Sequence, residues 1–470
     1  MRLRSGVGSL GLLVGGAMLV AAALDRPRPL RAARSAPVRF AAYLTTTPLP
    51  PLDPTPHGEA IVPGPPQPTP ERASDAITTG RVAGLREARI LESPTGSSER
   101  VLGFTPAGDR LVSVLGADLV IRSLPDGQQI DRIADVMPRT SGYGRVRIAP
   151  DGQIIAIAGE SGPGDVELWS LDLGRRLRQH RGGNLVTQLA FAPDGRALLA
   201  ARGDGPVHQW DLASGRLVAD LGLSRTWDAA VMAVHPSLAR VALGRGGDTL
   251  VRLVDLESGA TLENRHLSGS GRLIDLSWRP DGNALAAVYR LGPGSQHRLA
   301  LWTMGRDSIA TVDWNARQYS PLVWRPDGSA LALAASDGSG EAWTTRIALW
   351  RGEGALQPIF EAKGFGLQGM AWARDARLLA VSVRQVYQNP DGLQPSWTQL
   401  LDSSSGVSPD RTWLLPDRTQ PWFTPDGSGL LLTGDADAGQ PGLRLLTVDP
   451  DWLAARRAWL PRILRSAEHR

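Results

Sequence analysis

The sequence predicts an all-β protein built from repeated four-stranded sheets, on three observations. The first is a recurring phrase: "FTPAGDRLVSV", "IAPDGQIIAIAG", "FAPDGRALLAARGDG", "WRPDGNALAAV", "WRPDGSALALAA" and "FTPDGSGLLLTG". The second is its period. The turn prolines fall at Pro106, Pro150, Pro193, Pro236, Pro280, Pro326 and Pro425, with Arg374 standing for proline in the seventh unit, at steps of 44, 43, 43, 44, 46, 48 and 51 residues. The third is length: 470 residues exceed the roughly 250 to 300 at which one ordinary core stops growing. Apolar strands joined by Asp-Gly turns at a period in the forties are the signature of a β-propeller, each repeat being one blade of four antiparallel strands. Eight units predict eight blades, with seven blades and one irregular unit as the alternative.

The chain opens with Arg2 and Arg4, an uncharged run from Ser5 to Leu24, and then Arg26, Arg28, Arg31, Arg34 and Arg39. Residues 1–24 therefore read as a signal peptide or a transmembrane anchor. The run is long for a signal core and just enough to span a bilayer, while Ala21-Ala22-Ala23 offers small residues for cleavage. The arginines after the run oppose a simple positive-inside assignment. Two placements stay open: an exported, periplasmic or envelope-anchored body, or a membrane-anchored body on the cytoplasmic face. Residues 25–84 form a Pro-rich flexible linker, dense in proline from Thr45 to Gly84 and poor in apolar periodicity. Such a stretch serves as an inert tether or as a ligand for a proline-recognising groove. All eight units follow it, so the chain before Gly84 is expected to be dispensable for folding.

Residues 85–450 are the propeller. In unit three "LVTQLAFA" is the inner strand, Pro193-Asp194-Gly195 turns the chain, and "ALLAAR" returns. Gly203-Asp204-Gly205 turns it again into "PVHQWDL", and Ala213-Ser214-Gly215 leads to "RLVADL" as the outer strand. The last unit ends after "GLRLLTV", one strand short, and "REARILE" (Arg86 to Glu92) is the candidate outer strand that closes the ring. The tail, residues 451–470, carries Trp452, Ala455, Trp459 and Leu460 at helical spacing and is expected to be a short helix packed on the propeller.

On these residues the chain resembles the WD40-repeat family and the related bacterial-type (PD40-like) propeller repeats with a Pro-Asp-Gly turn. The Trp-Asp signature is intact once, at Trp210-Asp211, with weaker forms at Trp169, Val254-Asp255, Trp302, Trp350 and Leu401-Asp402. In that family a His, a Ser or Thr, an Asp and a Trp form a hydrogen-bonded structural network inside a blade. The resemblance implies that part for His180, Asp204 and Trp210; the other units mostly lack the His.

Composition narrows the chemistry. Of 51 basic residues only Lys363 is a lysine, and beyond residue 81 basic and acidic residues are equal in number. Neither the balance nor the spacing suggests a nucleic-acid-binding face. The absence of cysteine removes disulfides, thiol catalysis and zinc-thiolate sites. No Gly-x-Ser-x-Gly elbow occurs, and the histidines, His57, His180, His208, His235, His266, His297 and His469, lack close ligand spacing. "GDADAG", with Asp435 and Asp437, lacks the later ligands of a calcium loop. "GRGGD", Gly244 to Asp248, has no following helix to bind phosphate. Both read as turns, so no cofactor, metal or catalytic residue is assigned.

One feature changes along the chain. The turn that is "GDG" in unit three becomes "RLGPGSQH", "SDGSGEAWTT" and "RQVYQNPDGLQPS" in units five to seven, bringing Arg290, Trp343, Arg384 and Tyr387. Equivalent turns of a propeller share a face, and arginine and aromatic side chains are enriched at contact hot spots. These four are the candidate partner-binding residues. The function expected is a non-enzymatic scaffold that binds a protein or peptide at the cell envelope. The alternative is a propeller enzyme, lactonase- or lyase-like, with a site assembled at the central channel.

Overall fold

The repeated Pro-Asp-Gly phrase closes a tight hairpin whose chemistry is visible turn by turn. Proline presets its own backbone, and the aspartate accepts the N–H two residues on: Asp194 from Arg196 at 3.0 Å, Asp281 from Asn283 at 2.9 Å, Asp426 from Ser428 at 3.0 Å. Glycine then takes a positive φ, 72° at Gly195, 75° at Gly282 and 81° at Gly427. Where the seventh unit lacks glycine, Ala376 adopts φ 61°, a conformation that costs an L-residue about 1–2 kcal/mol.

The structure, a computed structural model, describes residues 77–78, 85–91, 99–124, 126–136, 145–159, 164–221, 230–247, 249–269, 271–319, 322–339, 342–386, 396–403, 412–415, 420–433 and 443–448. The chain divides into two units, Met1–Pro51 and Leu52–Arg470. The first, with its expected signal or anchor, lies outside the described residues, as do the expected C-terminal helix and the Asp435/Asp437 turn. Among the described residues no helix is long and apolar enough to cross a membrane.

The second unit contains eight antiparallel sheets, so the eight-blade reading holds over the seven-blade one. Blades 1 to 7 cover 99–133, 145–180, 186–220, 230–266, 272–315, 318–363 and 365–415, each ordered inner, second, third, outer. Blade 6 breaks its inner strand into Gln318–Tyr319 and Val323–Trp324. Blade 8 draws three strands from 420–448 and its outer strand, Leu85–Leu91, from the other end of the sequence. Leu85 pairs with Val448 and Leu91 with Leu443, antiparallel, which is the closure that "REARILE" predicts.

Each seam between neighbouring blades holds its own apolar cluster. Second strands such as Ala197–Arg202 and Ala284–Arg290 are buried on both sides, so they read as continuous apolar runs rather than alternating ones. Between blades 2 and 3 sit Leu168, Leu198 and Trp210; between 5 and 6, Leu299, Leu333 and Trp350; between 8 and 1, Val101, Leu111 and Leu431. Burying each such side chain stabilises by about 1.5–3 kcal/mol. Three tryptophans stitch the seams as well. Trp278, Trp324 and Trp372, each two residues before its turn's proline or that proline's equivalent Arg374, donate their indole N–H to Ala233, Ser277 and Val323 of the preceding blade at 2.9, 3.3 and 3.2 Å. Blade 1 holds a buried ion pair, Arg122 Nη2 to Glu99 Oε2 at 2.9 Å, with Ser113 Oγ donating to Glu99 Oε1 at 2.5 Å.

Ile77, within the stretch read as spacer, is seated in the propeller. Its N–H donates to Gly427 O at 2.7 Å in the first turn of blade 8. Its side chain is 1% exposed and packs with Ala373, Leu378, Leu400 and Leu430 at the seam of blades 7 and 8.

Two stability outcomes follow from these contacts. Ala376→Gly should raise stability by about 0.5–1 kcal/mol, the relief of a left-handed alanine less the extra chain entropy of glycine; urea unfolding of the full chain measures it. Ile77→Asp should lower stability by at least about 2 kcal/mol, since a carboxylate in that cluster has no described partner. A melting temperature unchanged by Ile77→Asp would show that the seam does not need this residue.

Candidate partner-binding face

Strand direction sorts the loops onto two faces. Inner strands run toward the Pro-Asp-Gly turns, so first and third turns share what we call the turn face. Second turns and the crossovers between blades share the opposite, crossover face. The second turns cover residues 116–117, 159–165, 203–206, 246–249, 291–295, 338–343, 386–395 and 434–442. Length alone therefore does not confine the long turns to units five to seven: those of blades 2 and 8 are long too. The expectation of one sector confined to units five to seven is therefore not met by length: the turn of blade 5 is shorter than those of blades 2 and 8.

The predicted residues divide accordingly. Arg290 is exposed at the end of blade 5's second strand. Trp343 ends the second turn of blade 6 and is half-buried, and Arg384, also half-buried, is the penultimate residue of blade 7's second strand, Leu378–Gln385. Tyr387 lies outside the described residues. Trp343 and the Arg384 strand end meet at Gly366 of blade 7's inner strand. A Cβ built there would lie 3.7 Å from Trp343 Nε1, 3.4 Å from Val386 Cγ2 and 4.0 Å from Arg384 O. The Trp343 carbonyl also accepts the Gly364 N–H at 2.5 Å, and Val386 N donates to Gly364 O at 2.9 Å. The Trp343 indole N–H is shielded from solvent and has no hydrogen-bond acceptor. Beside it Val386 is exposed, and Phe365 packs edge-on against Trp397 at 4.0 Å. Gly366 and Val386 escaped sequence reading, because only the fold brings an inner-strand glycine under a loop tryptophan of the neighbouring blade.

His180 and Trp210 meet between blades 2 and 3, and Asp204 lies in the second turn of blade 3. His180 stacks flat on Trp210, ring centres 4.6 Å apart at 24°, its Nε2 buried without a hydrogen-bond partner. Asp204 Oδ1 is likewise buried and unbonded. The hydrogen bonds at this junction come from Arg202. Its side chain is 2% exposed, with Nε to His208 Nδ1 at 3.0 Å and Nη1 to Gly164 O and Asn184 O at 2.9 and 2.8 Å. One guanidinium thus ties the second turn of blade 2, the crossover and the third strand of blade 3. Gly183, φ 94°, leaves the space: a Cβ there would lie 2.5 Å from Nη1. Burial first, then the Arg178 and Arg202 charges, push the His180 pKa down to about 4. Burial, then Arg202, also lowers that of His208, and its Nδ1 accepts a bond only when unprotonated.

Both histidines are therefore neutral in the folded state and gain protons more readily when unfolded. Stability should be full above about pH 6.5 and fall as pH drops from there toward 4, by about 2 kcal/mol at pH 5 for His180 alone. Urea titrations at pH 7 and pH 5 measure the difference, and His180→Phe should flatten it. An equal pH dependence in that variant would remove His180 as its source.

No family model matches the chain. Part of it is similar to the small ribosomal subunit protein RACK1 of Medicago sativa, 27% identical over 178 residues, which is 37% of this chain and 43% of the relative's length. The chain thus spans less than half of the curated relative it matches. Among solved structures it is similar to the β-propeller domain of Cps50 (Swd1) from Myceliophthora thermophila, at TM-score 0.45 and 18% identity over 66% of this chain and 97% of that one. The eight four-stranded blades make this chain a β-propeller, and part of it is similar in sequence to RACK1.

Proposed function

We propose that the chain is a non-enzymatic scaffold, of the bacterial Pro-Asp-Gly-turn kind, that holds a protein or peptide partner on its crossover face at the cell envelope. One observation carries the binding site: a half-buried Trp343 whose N–H lacks an acceptor, over the bare backbone of Gly366 and beside exposed Val386. The N–H is shielded in the free protein, so a peptide carbonyl at Gly366 would supply that acceptor once the Trp343 indole turns outward, and apolar side chains would cover Val386. Arg290 and Arg384 border the same arc of blades 5 to 7, and Tyr387 follows Val386 in sequence. Tryptophan, tyrosine and arginine are the side chains that dominate binding energies.

A further observation supports binding. The sequence relative is by name a component of a ribosomal subunit, a protein that works within an assembly. Placement at the envelope rests on the uncharged run from Ser5 to Leu24. Fractionation of cells producing the full chain tests it: recovery only in the soluble cytoplasmic fraction would contradict that placement.

Affinity capture from envelope extract with the full chain as bait should yield a partner. Its affinity should fall at least about tenfold, or 1.4 kcal/mol, in the Trp343→Ala, Tyr387→Ala double variant. Because Trp343 is half-buried, Trp343→Phe separates packing from the N–H: it should keep the fold and still weaken binding. Undiminished binding in both variants would move the site elsewhere.

A further inference from the structure

The exposed large apolar side chains of this propeller are unevenly placed. Six of them lie on the turn face or at its rim, and all six belong to blades 1 to 4. Ile130 is the second residue of blade 1's outer strand, Gln129–Ile133, and Leu173 sits in the third turn of blade 2. Leu217 and Val218 open blade 3's outer strand, Leu217–Asp220. Leu238 is in the first turn of blade 4, and Leu262 is the second residue of its outer strand, Thr261–His266. Their exposures run from 39% at Leu217 to 60% at Leu173. In blade 5 the position of Leu217, opposite Trp210, is taken by Ile309 opposite Trp302, which is half-buried rather than exposed, and blade 6 has Gln357 opposite Leu349. Among the described residues the only other exposed large apolar side chains, Leu185 and Val386, are on the crossover face.

The chain's N-terminal region enters on this same face. Ile77 is bonded to a first turn of blade 8, and Leu85 begins the outer strand opposite Val448, at the turn-face end of blade 8. Blade 8 adjoins blade 1 through the cluster of Val101, Leu111 and Leu431, so the apolar arc starts next to the entry point. Upstream lie the proline-rich stretch and the run from Ser5 to Leu24. The arc has the character of a shallow wedge. Its side chains stand on four separate blades with turns between them. A protein partner would instead bury one contiguous patch. A bilayer accepts separated apolar side chains that reach one plane, while a neighbouring arginine keeps its charge at the headgroups, as the exposed Arg216 beside Leu217 would. Of the carboxylates in these third turns, Asp211 and Asp255 are turned back to Ser214 and Ser258, each accepting from a backbone N–H and a hydroxyl, and Asp172 pairs with Arg110, while Asp126 and Glu257 are exposed.

We infer that the turn-face rim of blades 1 to 4 rests on a lipid bilayer surface, so that the crossover face with Trp343 is presented away from the membrane. The inference rests on the envelope placement proposed above, and the test separates the two. The chain has no cysteine, so single labels are unambiguous. The full chain carrying Val218→Cys, and separately Leu185→Cys, is labelled with an environment-sensitive fluorophore. Each is reconstituted with phosphatidylcholine vesicles containing phosphatidylglycerol and a shallow nitroxide-bearing lipid. The label at 218 should shift to the blue and be quenched, whereas the label at 185 should do neither. Replacing Leu173 and Leu262 by Asp should abolish the shift at 218 while vesicle association through the N-terminal region persists. If the chain associates but the label at 218 keeps its aqueous emission, the rim does not touch lipid, and the tether stands alone. If the chain fails to associate at all, the envelope placement and this inference fall together. A label at 218 already shielded without vesicles, and exposed on dilution, would make the rim a contact between copies and overturn the inference.

Discussion

The pairing of Leu85–Leu91 with Leu443–Val448 is the constraint on which the remaining structure depends. A blade sheet buries both of its faces only if a blade stands on either side. Every seam cluster therefore presupposes a closed ring, and the cluster between blades 8 and 1 exists only once both chain ends have arrived. The entropy of closing so long a loop grows only logarithmically with its length, so a pairing across most of the sequence remains compatible with a stable fold. What it requires is accurate register, and a strand with a bulge between Glu87 and Arg89 supplies it at the outermost, least confined position. Ile77 adds a second attachment on the neighbouring seam, so the closing strand is held at its own ladder and again upstream.

Blade-to-blade contacts divide the molecule into a rigid face and an adaptable one. On the turn face the side chain preceding a turn proline, or that proline's equivalent, reaches forward to the next blade's turn. His235 Nε2 lies 3.2 Å from Gly282 O, Arg325 bonds Ala376 O, and Arg374 bonds Pro425 O at 2.6 Å. The Arg374 bond gives a physical reason for losing the seventh unit's proline: the guanidinium that replaces it belongs to this belt. The tryptophans Trp278, Trp324 and Trp372 repeat the pattern one residue deeper, each pointing backward. Among the described residues, crossover-face segments show no such repeated device. Arg202 organises one junction, Trp343 and Gly366 another, and the residues differ from blade to blade.

The fold was legible because its signals are local and repeated. Pro-Asp-Gly states a turn and its φ in three residues, and "REARILE" was recognisable as a missing strand by counting strands in the last unit. The site was legible only in part. Trp343 and Arg384 stood out by residue type and loop length, but the acceptor missing from Trp343 depends on Gly366, a glycine with nothing in its own neighbourhood to mark it. His180 and Trp210 meet as stacked rings, while Arg202, two residues before Asp204 in sequence, bonds His208 and two backbone carbonyls that nothing in the sequence marks. The ladder of tryptophans had a visible signal, "WRPDG" twice and "WARDA" once, that matters only when successive inner strands are known to be neighbours.

Strand parity decides which face the N-terminal region can leave from. In a four-stranded antiparallel blade the inner strand ends on the turn face, and the outer strand begins there. Had the chain started with the inner strand of blade 1, its upstream segment would have left from the crossover face, across the second turns. Because the first strand instead fills the outer place in blade 8, its beginning, Leu85, must lie on the turn face. Ile77, bonded to a first turn, agrees with that requirement although its own contacts are independent of it. The offset of one strand that closes the ring thus also fixes where the first described strand begins, at the turn face among the first turns of the blades.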